Sequence, residues 1–106
     1  VLMDQLCRVG GFVMIQGGCR FSKDIPPYII AGREPIAYSG INIIGLRRRG
    51  FSNELIENIH NTYRIIYNSG KNVSDALQQI REEITMTPEI EYIVSFIENS
   101  ERGIIR

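Results

Sequence analysis

Apolar side chains recur along this chain with two different periods. In the first part, the apolar residues that lie six positions apart are Met3, Val9, Ile15 and Phe21. Six is the period of neither a helix nor an ordinary strand, but a parallel β-helix places one inward side chain on each flat face at this interval. The pattern predicts the last coil or coils of a left-handed parallel β-helix. A β-hairpin region with glycine turns is the alternative that four positions leave open.

A single coil cannot bury its inner face, because solenoid repeats become stable only when several of them stack. Residues 1–21 hold barely more than one coil of three six-residue units. We therefore expect that the coil is covered either by further coils from a preceding region or by tight association of subunits.

Two prolines mark the end of the six-residue pattern. Pro26 and Pro27 forbid a helix and favour extended backbone in the residues before them, so residues 24–32 are predicted as an exit strand and loop. Gly32, Pro35 and Gly40 predict an irregular chain until about residue 40.

From Ser52 onward the apolar residues follow a helical period. Three amphipathic helices are predicted, with Ser52, Asn72 or Ser74, and Thr87 as their amino-terminal caps. Gly70 ends the first helix, and Pro88 occupies the first turn of the third. The predicted fold class is therefore α+β, with the end of the β-helix and its exit loop at residues 1–40 and a small helical domain at residues 41–106.

Composition and charge narrow the class of protein. The chain has 106 residues, 43% of them hydrophobic, and its 12 basic residues balance 12 acidic ones, which argues against a nucleic-acid partner. Three consecutive arginines at residues 47–49 nevertheless form one local cationic patch. No apolar run is long enough for a membrane span and no signal peptide is visible, so we expect a cytoplasmic protein.

Few residues could carry chemistry on their own. Cys7 and Cys19 match no redox or zinc spacing, so we interpret both as reduced, buried side chains. His60 is the only histidine, and its place within a predicted helix favours a half-exposed structural residue over a catalytic one.

Residues 24–31, 40–52, 63–71 and 102–106 carry a resemblance to a known family. These segments read DIPPYIIA, GINIIGLRRRGFS, YRIIYNSGK and RGIIR. They resemble the UDP-N-acetylglucosamine acyltransferases of lipid A biosynthesis, and the resemblance extends over essentially the whole chain.

The resemblance implies a homotrimer of left-handed β-helices with helical domains, and active sites in the grooves between subunits. It implies transfer of a 3-hydroxyacyl group from acyl carrier protein to the 3-hydroxyl of UDP-N-acetylglucosamine, the first step of lipid A biosynthesis. It implies neither a metal nor an organic cofactor. A histidine of an earlier coil is the general base in this family, and His60 matches no such motif. We therefore name no catalytic residue in this chain and expect no transfer by it alone.

The resemblance also assigns binding residues. Gln5, Asn42, Arg48 and Arg49 match positions around the nucleotide sugar, where guanidinium groups suit phosphate and an amide offers both a donor and an acceptor. A solvated helix face is the alternative for the arginines.

Two residues match the acyl-chain pocket. Gly17 matches the position that limits chain length, and Met14 lines the same tunnel; a turn glycine and a core methionine are the respective alternatives. Because the carrier is acidic, its candidate docking residues are basic: Arg47, Arg48, Arg49, Arg64 and Lys71.

Two positions depart from the family pattern. Ile44 stands where better-known members have a glutamate, and Asp4 stands where a histidine is common.

Because the resemblance extends over essentially the whole chain, we interpret the chain as the carboxyl-terminal part of such an enzyme. A short non-catalytic module that binds the carrier or the intact enzyme, and a paralogue with an altered substrate, are the alternatives.

Overall fold

The computed structural model describes residues 2–3, 9–15, 20–21, 23–32, 37–100 and 103–105. Short strands come first and helices follow. The strands are β1 (Leu2–Met3), β2 (Met14–Ile15), β3 (Arg20–Phe21), β4 (Ile29–Gly32) and β5 (Ala37–Ile41). The helices are α1 (Ile43–Arg48), α2 (Asn53–Asn68), α3 (Val73–Glu83) and α4 (Pro88–Glu98).

The early strands pair in parallel at two intervals. Strand β1 pairs with β3, so that Met3 lies opposite Phe21, eighteen residues along the chain. Strand β2 pairs with β4, and Ile15 lies opposite Ala31, sixteen residues along. Val9 forms a parallel bridge with a residue sixteen positions later. A hairpin would pair its strands antiparallel, so the parallel pairings exclude the hairpin interpretation of these strands.

Strand β5 corrects the expectation of an irregular chain up to residue 40. It pairs antiparallel with β4 and lies at one edge of a three-stranded sheet ordered β2-β4-β5. The register shifts between Ile29 and Ala31, and Gly40 adopts a left-handed φ of 109° near the end of β5. Glycine and proline therefore mark irregularities of a strand here and not its absence.

Residues 103–105 return to the sheet region. Asp24 and Ile104 form a parallel bridge, in which the amide of Asp24 donates to the carbonyl of Gly103 and the amide of Ile105 donates to the carbonyl of Asp24. The Asp24 side chain is buried and accepts a hydrogen bond from the hydroxyl of Ser100 at 2.6 Å. This pairing gives hydrogen-bond partners to the backbone amide and carbonyl of Asp24.

The three predicted helices are confirmed, and local capping explains where each begins. Ser52 accepts a hydrogen bond from the amide of Leu55 at the start of α2. Asn72, one of two predicted caps, starts α3, and Thr87 starts α4 ahead of Pro88. These side chains satisfy amides that have no partner within the helix. Gly70 follows α2 with a left-handed φ of 75°.

Helix α1 was not predicted as a separate element. It has only six residues, which is too short for propensity alone to stabilise it. Its single buried side chain, Leu46, packs into the core, and its first turn is capped by Asn42. Tertiary contacts therefore decide its existence.

One hydrophobic core includes residues of the strands and of the helices. Its fully buried members include Ile25 and Ile29 from the early part of the chain and Ile59, Ile80 and Ile93 from the helices. Members of this core lie on both sides of residue 40. The domain boundary predicted there remains a prediction.

Two tyrosines of α2 join that helix to the strands. The hydroxyl of Tyr63 donates to the carbonyl of Pro27 at 2.6 Å, and the hydroxyl of Tyr67 donates to the carbonyl of Ile105 at 2.7 Å. Tyr38 of β5 stacks on Tyr67 with ring centroids 4.4 Å apart. Tyr63 and Tyr67 lie one helical turn apart on α2. The helix therefore contacts both Pro27 and residues 103–105.

Within the described residues, no helix is both long and apolar enough to cross a bilayer.

The backbone of Gly10 lies very close to Pro27. A Cβ at Gly10 would lie 2.4 Å from the nitrogen of Pro27 and 2.6 Å from its Cα. Because backbone atoms cannot move aside as a flexible side chain does, Gly10→Ala should lower the free energy of unfolding by about 2 kcal/mol or more in urea titrations. Gly11→Ala is the matched control, because its Cβ would meet only the Tyr92 side chain among the described residues, at ordinary contact distances of 3.5 Å to the hydroxyl oxygen and 3.7 Å to Cε2. Equal losses in the two variants would contradict this interpretation.

Candidate functional site

Asn42 lies between β5 and α1, and its amide side chain joins two parts of the chain. Its Oδ1 accepts from the amide of Gly45 at 3.2 Å, and its Nδ2 donates to the carbonyl of Phe12 at 3.1 Å. The side chain is only 8% exposed. A Cβ at Gly45 would lie 2.5 Å from Nδ2, so any other residue there would displace the Asn42 amide from this position. Asn42 is consequently held in one orientation, and its contacts with the described residues use one of its two donor and one of its two acceptor positions.

The arginine run lies at the end of α1. Arg47 and Arg48 occupy its last turn, Arg49 is its carboxyl-terminal cap, and all three are exposed. Cations are favourable at this end of a helix because the backbone carbonyls there carry partial negative charge. The guanidinium carbon of Arg49 lies 5.2 Å from the centroid of the Phe12 ring, within the range of a cation–π contact.

An aromatic cluster formed by Phe12, Tyr28, Phe51 and Tyr92 lies beneath Arg49. Phe12 and Tyr28 stack with centroids 5.7 Å apart and planes at 13°. Phe51 meets both rings at a steep angle, and Tyr92 meets Tyr28 edge to face. The Tyr92 hydroxyl accepts a hydrogen bond from the amide of Gly11 at 2.8 Å, so α4 also contacts this turn.

Phe12 and Tyr28 both adopt left-handed backbone conformations, with φ of 58° and 71°. Such values are rare for bulky side chains. The two residues are sixteen positions apart, the same interval as the β2 to β4 pairing, so they occupy equivalent turns of successive layers. The amide of Tyr28 donates to the carbonyl of Gly11, which ties the two turns together.

Burial shapes the acid–base properties of the cluster. Removal of Tyr28 from water, followed by the charges of Glu89 and Tyr92, raises the pKa of the Tyr28 phenol from 10.0 to about 12. Desolvation also raises the pKa of Tyr63 well above its usual value. Both phenols therefore remain neutral hydrogen-bonding or packing groups at physiological pH.

The other predicted site residues are dispersed. Met14 is 50% exposed in β2, and Ile44 is 67% exposed in α1. Arg64 lies on α2 beside Glu83 in an open groove of about 530 Å³ between α2 and α3. Lys71 is exposed in the connection between those helices, and His60 is exposed on α2. The predictions for Gln5, Gly17, Asp4, Cys7 and Cys19 fall outside the described residues.

In the structure, Asn42 contacts the carbonyl of Phe12 and Arg49 contacts its ring, and Arg48 is the residue before Arg49. Sequence patterns gave no indication of the aromatic cluster, because its four members come from separate segments. Over the described ranges, no group of three or more metal-binding side chains converges.

Residues 24–105 match the family model described as UDP-N-acetylglucosamine O-acyltransferase, Domain 2. The chain belongs to this acyltransferase family. A relative from Halorhodospira halophila, named acyl-[acyl-carrier-protein]–UDP-N-acetylglucosamine O-acyltransferase, is 35% identical over 105 residues, which cover 99% of this chain and 41% of the relative. The chain therefore spans about two fifths of the length of such acyltransferases.

Solved acyltransferase structures are similar over the same extent. A UDP-N-acetylglucosamine acyltransferase from Bacteroides fragilis is 82% identical with a TM-score of 0.98, and the match covers 99% of this chain and 41% of that one. A structure from Acinetobacter baumannii is 37% identical with a TM-score of 0.92, over 98% of this chain and 41% of that one. The similarity includes the arrangement of strands and helices described above.

The pKa of Tyr28 predicts a loss of stability in alkali. Because the folded state holds the phenolic proton more tightly than the unfolded chain does, the stabilisation is complete below pH 10.0 and is lost as the pH rises to about 12. Over this range the free energy of unfolding should fall more steeply for the unchanged chain than for Tyr28→Phe, by up to about 1.4 kcal/mol per pH unit. Denaturant titrations at several pH values measure both slopes; identical slopes would show that Tyr28 does not hold its proton.

Proposed function

We propose that the chain is the carboxyl-terminal part of an enzyme that transfers a 3-hydroxyacyl group from acyl carrier protein to the 3-hydroxyl of UDP-N-acetylglucosamine, an early step of lipid A biosynthesis. The family match over residues 24–105 carries the proposal. The names of the relatives supply both substrates, the acylated carrier and the nucleotide sugar.

The parallel pairings support the β-helix part of this proposal. Intervals of eighteen and sixteen residues correspond to about one triangular coil of three six-residue units, shortened by two residues at one corner. We infer that these strands are the end of a left-handed β-helix. Half-exposed apolar side chains on this region, among them Met14, are suited to contact with neighbouring subunits of a homotrimer.

The reaction defines what the residues of the chain have to do. The sugar hydroxyl loses its proton and attacks the thioester carbonyl, the new C–O bond forms, the C–S bond breaks, and the carrier thiolate takes up a proton. A general base must lie within hydrogen-bond reach of that hydroxyl. His60 is exposed on α2 and matches no catalytic motif of the family, so we propose that the base comes from a region outside this chain.

Binding is the part that this chain contributes. Arg48 and Arg49 present guanidinium groups suited to a diphosphate. Asn42 has one donor and one acceptor position that no described residue occupies, and these suit a sugar or base. Ile44 is largely exposed beside them, and an isoleucine cannot replace the hydrogen bonds of a glutamate. We propose that Gln5 completes this pocket and that Met14 and Gly17 line the acyl tunnel.

A non-catalytic carrier-binding module is the second candidate. The exposed cations Arg47, Arg48 and Arg49 favour it, because they can attract an acidic carrier without any catalytic group. Both candidates place the protein in the cytoplasm, where these substrates are expected.

Acyl transfer separates the two candidates. We expect no product when the chain alone is given a 3-hydroxyacyl carrier protein and UDP-N-acetylglucosamine. Transfer should appear when the preceding region of the Bacteroides fragilis relative is joined to it, and mass spectrometry of the sugar nucleotide measures the product. Transfer by the chain alone would contradict the assignment of the base to another region, and a joined protein that folds but remains inactive would favour the binding module.

Carrier docking should depend on the arginines of α1. We expect Arg47→Ala combined with Arg48→Ala to weaken carrier binding about tenfold at low salt and to flatten its salt dependence, since such charges act mainly through long-range attraction. Surface plasmon resonance at several salt concentrations measures both effects. Arg81→Ala is the matched control, because Arg81 is a half-exposed arginine paired with Glu98 at 2.9 Å. Equal weakening by the control would contradict docking on α1, and Arg64→Ala and Lys71→Ala then test the α2 to α3 region.

A further inference from the structure

Phe12 is the residue on which the two proposed binding side chains converge. Its carbonyl accepts a hydrogen bond from Asn42 Nδ2 at 3.1 Å, and its ring lies 5.2 Å from the guanidinium carbon of Arg49. Neither contact is local in sequence, since Asn42 is thirty residues away along the chain. A single residue therefore fixes the positions of an amide and a cation that belong to different ends of α1.

The Phe12 ring is itself held by its surroundings. It stacks on Tyr28, which is nearly fully buried, and Phe51 meets it at 69° with centroids 5.6 Å apart. Phe12 keeps a left-handed φ of 58°, a strained conformation that surrounding contacts must maintain. The ring is still 39% exposed, so it can contact a surface side chain without being part of the core.

A fixed arginine binds an anion better than a mobile one. A free arginine side chain loses considerable rotational freedom when it binds phosphate, and a contact that already restricts the side chain lowers that loss. The ring of Phe12 attracts the guanidinium through its negative face and leaves the N–H groups in the plane available as donors. Arg48 has no such ring contact among the described residues, which makes it the natural comparison.

We propose that Phe12 is a positioning residue, which holds Arg49, and through its carbonyl Asn42, in the arrangement that receives the diphosphate and sugar of the nucleotide sugar. This inference rests on the function proposed above. Phe12 contributes to binding through Arg49 and Asn42, and its aromatic ring is the essential feature.

Two variants separate the ring from the backbone contact. Phe12→Tyr keeps the aromatic face, whereas Phe12→Leu keeps an apolar side chain of similar reach and loses it. Both keep the carbonyl that accepts from Asn42, and neither adds a β-branch at the left-handed position. The Asn42 contact is therefore an internal control for correct folding of the turn.

The first measurement needs no ligand. In the chain labelled with ¹⁵N, the Arg49 Nε–H resonance should differ from that of a free arginine because of the neighbouring ring. Phe12→Leu should move it to the free position and Phe12→Tyr should not, while the Asn42 side-chain amide resonances remain in place in both. An Arg49 resonance unaffected by Phe12→Leu would overturn the positioning role.

The second measurement uses the joined acyltransferase and UDP-N-acetylglucosamine as the probe. Phe12→Leu should raise KM for the nucleotide sugar about three- to tenfold with little change in kcat, and Phe12→Tyr should change KM less than about twofold. A merely structural role would lower the amount of folded enzyme and leave KM unchanged, which would overturn the inference.

Arg49→Ala in both backgrounds completes the test. Its effect on KM should shrink in Phe12→Leu, because the ring acts through this arginine, and undiminished effects in both backgrounds would contradict that coupling. Failure of the proposed function has a different result: the unchanged joined enzyme would neither bind nor acylate the nucleotide sugar, although the Arg49 resonance would still respond to Phe12→Leu.

Discussion

The hydrogen bond from the Tyr63 hydroxyl to the carbonyl of Pro27 is the contact on which the relation of helices to strands depends. Both groups are buried, so loss of either partner would leave the other without water or a substitute. The two prolines restrict the backbone of residues 26 and 27, and Tyr63 fixes α2 against that rigid segment. With α2 in place, Tyr67 can reach Ile105 and stack on Tyr38, and the packing of α3 and α4 follows from the same core.

The same contact indirectly sets the geometry of the candidate site. Pro27 precedes Tyr28, whose left-handed turn contacts the turn of Gly11 and Phe12. The Phe12 turn in turn receives the amide of Asn42 and the guanidinium of Arg49. The short α1 therefore owes its position to contacts at both of its ends. This arrangement explains how a six-residue helix can present a defined cationic surface.

Sequence patterns predicted what local interactions decide. The starts of α2, α3 and α4 follow from Ser52, Asn72 and Thr87, because a cap and its amides are neighbours in sequence. The spacing of Val9 and Ile15 anticipated repeating parallel strands. Strand β5, helix α1 and the Phe12 cluster were beyond such patterns, because each depends on partners far away in sequence. A phenylalanine with a positive φ even contradicts the usual preference, so no propensity could have indicated it.

The pairing of Asp24 with Ile104 also bears on the order in which the molecule assembles. The two residues are eighty positions apart, so this bridge forms only after α1, α2, α3 and α4 have all been synthesised. Contacts of such long range are slow to form, because a large loop must close before any stabilisation is gained. The bridge at Asp24 should thus form late, after α1 to α4 can already pack against the strands.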